Sequence, residues 1–178
     1  MRFRLSLPPA QTAPFTGIDV AAGRRGGRLT LRWRVTGGAA ALVLPAPATP
    51  ARTDDLWRTT CFELFLRPGA GEAYFEFNFS PSSQWAAYRF DGYRRGMANA
   101  AVEAPVTTTS VAGRTYALSA VIDLRPLAVT PSARLGLTAV LETKDGAKSY
   151  WALAHCGDKP DFHRADGFIA RLPFESRA

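Results

Sequence analysis

Glu63, Glu76, Asn78, Trp85 and Arg89 fall within one stretch, Leu56 to Asp91, in which apolar and polar residues alternate. Two acids, an amide, an indole and a guanidinium on one surface are suited to gripping a polar ligand. Charged groups bond hydroxyls strongly, and an indole offers a broad face for stacking. The same residues admit a plainer reading: a solvated sheet face with cross-strand ion pairs such as Glu76 with Arg89, which contribute little. Glu63 and Glu76 could also be drawn as a glycosidase pair, which needs carboxyls about 5–9 Å apart across a cleft. Carboxylates on adjacent strands meet that spacing by accident. No G-x-S-x-G elbow, G-x-G-x-x-G after a strand or P-loop lysine accompanies them. The residues therefore favour binding over catalysis, and no catalytic residue is assigned.

Strands must position these side chains. In the middle run, Ala73, Phe75, Phe77 and Phe79 alternate with Tyr74, Glu76, Asn78 and Ser80, which makes one face aromatic and buried and the other polar. On one side Phe62, Leu64 and Leu66 alternate with Cys61, Glu63 and Phe65. On the other, Ala86, Tyr88 and Phe90 alternate with Trp85, Ala87 and Arg89. Paired as a meander, the three runs are expected to put Phe, Leu and Tyr on the core face. Glu63, Glu76, Asn78, Trp85 and Arg89 then share the opposite face.

Further strands are expected at Met1–Leu7 (an edge), Arg28–Thr36, Thr115–Ile122, Arg134–Glu142, Ser149–Ala154 and Phe168–Leu172. Trp33 falls on the core side of its run. Lys144-Asp145-Gly146 is a hairpin signal, and Asp123 to Leu127 reads as a break with a single helical turn. Gly92 to Val106 and the tail from His155 to Gly167 read as loops. About nine short strands without a long amphipathic helix predict an all-β fold, a two-sheet antiparallel β-sandwich, as a single domain over residues 1–178.

The composition agrees: 178 residues, 47% hydrophobic and 21% charged, describe one globular domain. No run of 18 apolar residues occurs, so no membrane span is expected. The opening MRFRLSLPPAQTAPF lacks the apolar core of a signal peptide, which makes the cytoplasm the expected compartment. Cys61 and Cys156 are too few for a disulfide framework. A net charge of +7 raises nucleic acid as a partner. The arginines are scattered, however, and the tight groups (Arg24, Arg25 and Arg28; Arg94 and Arg95) lack interleaved aromatic platforms, so no specific nucleic-acid partner is expected. His155, Cys156, Asp161 and His163 match no standard zinc spacing, so no metal site is expected. Asp161 and His163 read better as groups bonding backbone in the tail loop.

The order of these segments resembles the DOMON-like superfamily, which includes family 9 carbohydrate-binding modules and haem-binding DOMON domains. The resemblance rests on Trp57 to Phe65, on Tyr74 to Asn78, and on the KPDFH segment from Lys159 to Phe168, and spans about residues 28 to 174. It implies a jelly-roll or immunoglobulin-like sandwich with a ligand on one sheet face or loop end, and a small-molecule partner that is a sugar or similar polyhydroxylated compound. Carried over by position, Trp57 and Trp151 would stack on a saccharide. Glu63, Asn78 and Arg89 would bond its hydroxyls. No cofactor is expected on this reading. The haem-binding relatives imply an alternative, a b-type haem held by Met97 with His155 or His163. A protein-docking domain with a vestigial site is the remaining alternative.

Overall fold

Residues 1–175 are described by the structure, a computed structural model. Twelve strands occur among them: β1 (Arg2–Leu5), β2 (Gly17–Arg25), β3 (Arg28–Thr36), β4 (Cys61–Arg67), β5 (Tyr74–Phe79), β6 (Trp85–Phe90), β7 (Ala98–Asn99), β8 (Val106–Ala112), β9 (Thr115–Asp123), β10 (Arg134–Glu142), β11 (Lys148–Ala152) and β12 (Ala170–Arg171). They form two antiparallel sheets. The first runs β1-β2-β3-β9-β8; the second runs β11-β10-β4-β5-β6-β7, with β12 on the end of β10. The fold is an all-β sandwich. No helix among the described residues is long and apolar enough to cross a membrane.

Alternation drives the assembly. Every second residue of β3 (Leu29, Leu31, Trp33, Val35) is fully buried while the intervening ones face solvent, as a strand with one face on a core requires. Trp33 reaches across to the other sheet, with ring centroids 5.9 Å from Phe62 and 5.7 Å from Phe79. Phe77, Leu64, Leu137 and Leu118 complete this interior. The β2–β3 hairpin closes through Gly26 and Gly27, at φ 57° and 72°. Both positions of this two-residue turn need positive φ, which glycine supplies without strain. Ser6 leaves the first sheet to bond the backbone of Ala152 in both directions, at 2.9 and 3.0 Å. This contact stitches the sheets along one margin.

Four elements differ from the sequence expectation. Gly17–Arg25, where no strand is expected, forms the nine-residue β2, because its hairpin partner β3 carries pairing out to Arg25. The two-residue β7 lies within the loop expected over Gly92 to Val106, paired to the margin of β6. β8 carries no alternation at all. It lies at the edge of the first sheet with both faces largely exposed, so nothing selects apolar residues there. The closing strand expected over Phe168–Leu172 shortens to β12, since Phe168 turns instead onto the outer face of the second sheet.

The meander register also corrects one face. β4 and β5 present their side chains as expected, but Phe75 pairs with Arg89, Phe77 with Ala87 and Phe79 with Trp85. Directly paired residues share a face. Trp85, Ala87 and Arg89 therefore lie on the core side, and Tyr88 and Phe90 on the side of Glu63 and Glu76. Trp85 is buried in the core and packs under the Arg52 guanidinium, 4.4 Å from its ring. Arg89, at the margin, bends outward to Asp91 at 2.6 Å.

Candidate binding cleft

The outer face of the second sheet is the floor of a cleft, not an open polar surface. Phe65 and Glu63 of β4 pair with Glu76 and Asn78 of β5, which in turn pair with Tyr88 and Ala86 of β6. Thr138 and Val140 of β10 flank Glu63 and Cys61, and Tyr150 of β11 lies beyond. Three loops raise walls around this floor. The turn before β4 contributes Asp54, Asp55 and the 3-10 residue Trp57; the loop after β6 contributes Arg94 and Met97. The tail contributes Lys159, Phe162 and His163. The enclosed volume is about 800 Å³, within the range that accommodates a small ligand.

The tail stays over the sheet because the face beneath it is aromatic. Phe168 stacks on Phe65 with centroids 5.7 Å apart, and Tyr74 stacks on Phe90 at 4.8 Å. The imidazole of His163 stands edge-on to Phe65, Tyr74 and Phe90. Gly136 permits this closure: a Cβ there would lie 2.7 Å from the Phe168 ring. Asp161 then locks two loops together. Its carboxylate accepts from the Tyr93 hydroxyl at 2.5 Å, from Arg94 Nη2 at 2.9 Å and from the backbone N–H of His163 at 3.2 Å. These hydrogen bonds hold its carboxyl below the usual carboxylate range despite partial burial.

Two acids sit on the floor with little compensation. Glu63 is 2% exposed and accepts one hydrogen bond, from Thr138 Oγ1 to Oε2 at 2.7 Å. Burial, with the neighbouring Glu76 adding to it, pushes its carboxyl up to about 8. Glu76 is 6% exposed and accepts from Asn78 Nδ2 at 2.8 Å; burial raises its carboxyl too. His163 Nε2 lies 3.7 Å from Glu76 Oε2. Its ring is held neutral, though, because burial and the Arg94 charge lower it to about 4. Arg94 donates its backbone N–H to the Tyr74 hydroxyl, so that hydroxyl is left to donate to His163 Nδ1, at 2.7 Å. This assignment turns Nε2–H toward Glu76.

Trp57 lies in the cleft wall with 47% of its surface exposed, and Glu63 lies on the floor. Asn78 shares that face but lies below it, fully buried. Its Oδ1 accepts from Cys61 Sγ, and its amide is committed to Glu76. Arg89 is on the opposite face, outside the cleft. Trp151 is directed into the sandwich: it pairs with the core residue Ala139, and its Nε1–H donates to Ser149 Oγ at 3.0 Å. The neighbouring Tyr150 is the β11 residue that reaches the cleft. The late-strand position of Trp151 gave no account of strand parity, which decides this. Tyr88, Asp54 and Arg94 also line the cleft without having been singled out. The Tyr88 hydroxyl donates to Asp54 at 2.6 Å, a pairing 34 residues apart with no local sequence signal.

Met97 and His163 both line the cleft, whereas His155 bonds the Ser6 carbonyl elsewhere. Among the described residues no group of three or more His, Cys, Asp or Glu is placed to hold a metal ion.

No family model matches the chain, and no curated protein does so. Among solved structures, the chain is similar to a putative carbohydrate-binding protein from Bacteroides uniformis. The TM-score is 0.69 at 14% identity, over 94% of this chain and 84% of that one. At that identity the likeness is one of fold.

Proposed function

We propose that this chain is a non-catalytic, DOMON-like binding module whose ligand is a carbohydrate or a related polyhydroxylated small molecule. The observation that carries this reading is the pairing, within one cleft, of a half-exposed indole with buried polar groups. Trp57 stands in the wall while Glu63 and Glu76 lie on the floor. A pyranose has an apolar C–H face to stack on the indole and a rim of hydroxyls to reach the carboxyl groups. The putative carbohydrate-binding protein of the same fold supports the reading as an analogy. Relative to the sequence expectation, Tyr88, Tyr150 and Arg94 take the places that Arg89, Asn78 and Trp151 do not occupy.

Isothermal titration against a panel of oligosaccharides tests it. At least one should bind, and Trp57→Ala should weaken that binding roughly tenfold or more, the loss of one stacked ring in a binding site. Absence of binding across the panel, or binding indifferent to Trp57→Ala, would overturn it.

The haem alternative is favoured by one observation, that Met97 and His163 share the cleft. The residues as placed do not fit the group. His163 engages Tyr74 through Nδ1, and its Nε2 faces Glu76 beneath the aromatic cluster. A ligating imidazole needs one nitrogen directed at the iron. Added haemin should give no Soret band that Met97→Ala alters.

A further inference from the structure

We infer that the cleft selects a ligand bearing a protonated amine, an amino sugar or similar amino polyol, with Glu63 and Glu76 as its paired counter-ions. The inference rests on the reading of the cleft as a binding site and specifies what enters it.

Both carboxyl groups are more than nine-tenths buried, and each keeps an oxygen that accepts no hydrogen bond among the described residues: Oε1 of Glu63 and Oε2 of Glu76. Both residues line the cleft. They are diagonal neighbours on adjacent strands, since Glu63 pairs with Asn78 and Phe65 with Glu76. Among the described residues no lysine or arginine comes within 4 Å of either, and Glu76 feels the Arg94 charge only from farther off. A buried acid without a cation is unfavourable, and two side by side are more so.

The charges around them leave that vacancy for a ligand. On the loop after β6, Arg94 is bound to Asp161 at 2.9 Å; on the tail, His163 is neutral and Lys159 stands exposed at the rim. Across the cleft, Asp55 is paired with Arg58 at 3.2 Å and Asp54 accepts from Tyr88. On the floor, Cys61 and Tyr74 are both held in their neutral forms by burial. The lining is aromatic, with Trp57 in the wall and Phe65, Tyr88 and Phe90 on the floor beside the acids, and aromatic faces attract cations. A neutral sugar would satisfy the unbonded oxygens only as hydrogen-bond partners. An ammonium group would also supply the missing positive charge. Its arrival stabilises the ionised form of Glu63, so the carboxyl proton leaves to solvent as the ligand binds.

The probes are chitotriose in its free-amine form, its fully N-acetylated counterpart and cellotriose, titrated calorimetrically at about pH 6, where the free ligand amine and Glu63 are both protonated, in two buffers of different ionisation enthalpy. The free amine should bind roughly tenfold more tightly than either neutral trisaccharide and release about one proton at that pH, with affinity rising with pH only until the ligand amine itself begins to lose its proton. Glu63→Gln should abolish both the preference and the proton release, while the Trp57-dependent part of binding persists. If a neutral trisaccharide binds equally well or better, or if the amine binds with proton uptake or none, the inference fails and the sugar-binding reading stands. If no trisaccharide binds, both fail.

Discussion

Replacing Glu63 by glutamine should stabilise the protein at alkaline pH and leave it little changed in acid. The carboxyl is fully buried and raised from 4.5 to about 8. Between those values the folded protein keeps a proton that the unfolded chain has released. The stability it contributes is fully present below about pH 4.5 and is lost as pH rises through about 8. The slope is about 1.4 kcal/mol per pH unit, so the difference between wild type and Glu63→Gln should change by on the order of 4 kcal/mol between about pH 5 and pH 8. Glutamine keeps the shape and can still accept from Thr138, so packing is conserved. His163 acts in the opposite sense. Held at about 4, against an ordinary 6.5, it removes stability as pH falls through that interval. It does so equally in both proteins and cancels from the difference. Urea denaturation of the two proteins across this range measures the effect. A stability difference independent of pH would refute the reasoning, because it would mean that Glu63 ionises in the folded state as readily as in the unfolded one.

The remaining expectations concern how the cleft is held and what lies outside it. Asp161→Ala should cost about 2 kcal/mol in denaturant melts, since three donors lose their acceptor; it should also open the tail near residues 159–163 to faster protease cleavage. Trp151→Ala should cost about 3–5 kcal/mol, the penalty for emptying a large aromatic site in a core. Arg89→Ala should leave saccharide affinity within about twofold of wild type and stability within about 0.5 kcal/mol, because its partner Asp91 is also solvent-exposed.

Most of the sandwich was legible because the face turned to the other sheet writes itself as alternation. β3 buries that face alone, whereas β4 and β5 are packed on both faces but carry Glu63, Glu76 and Asn78 on the outer one, so apolar residues still mark the inner face. β6 misled because its outer face is the more apolar of two packed faces. Tyr88 and Phe90 outweigh Ala87 and Arg89 in hydrophobicity, yet they belong to the aromatic floor covered by His163 and Phe168. Where a second small cluster forms outside the sandwich, side-chain apolarity no longer identifies the core face; only the register with Phe75 and Phe77 does. β8 was invisible for the converse reason, having neither face buried. Glu63, Glu76 and Trp57 could be singled out because they sit within one short stretch. The pairings of Arg94 with Asp161 and of Tyr88 with Asp54 could not be read, because the partners are 67 and 34 residues apart and no periodicity connects them. The KPDFH segment looked like a loop that bonds its own backbone. In the fold, Asp161 does so through His163 and also fastens the neighbouring loop.

The most direct test of the cleft as the binding surface uses the four tryptophans. Trp33, Trp85 and Trp151 are buried in the sandwich, and only Trp57 lines the cleft. Their indole N–H groups should give separate cross-peaks in a ¹⁵N-correlated NMR spectrum, assigned by single Trp→Phe variants. Titration with a binding oligosaccharide should shift the Trp57 cross-peak, together with backbone amides of β4, β5 and the 159–163 loop, and leave the other three indoles in place. Shifts confined to the five-stranded sheet, or a Trp57 indole unmoved at saturation, would contradict the account.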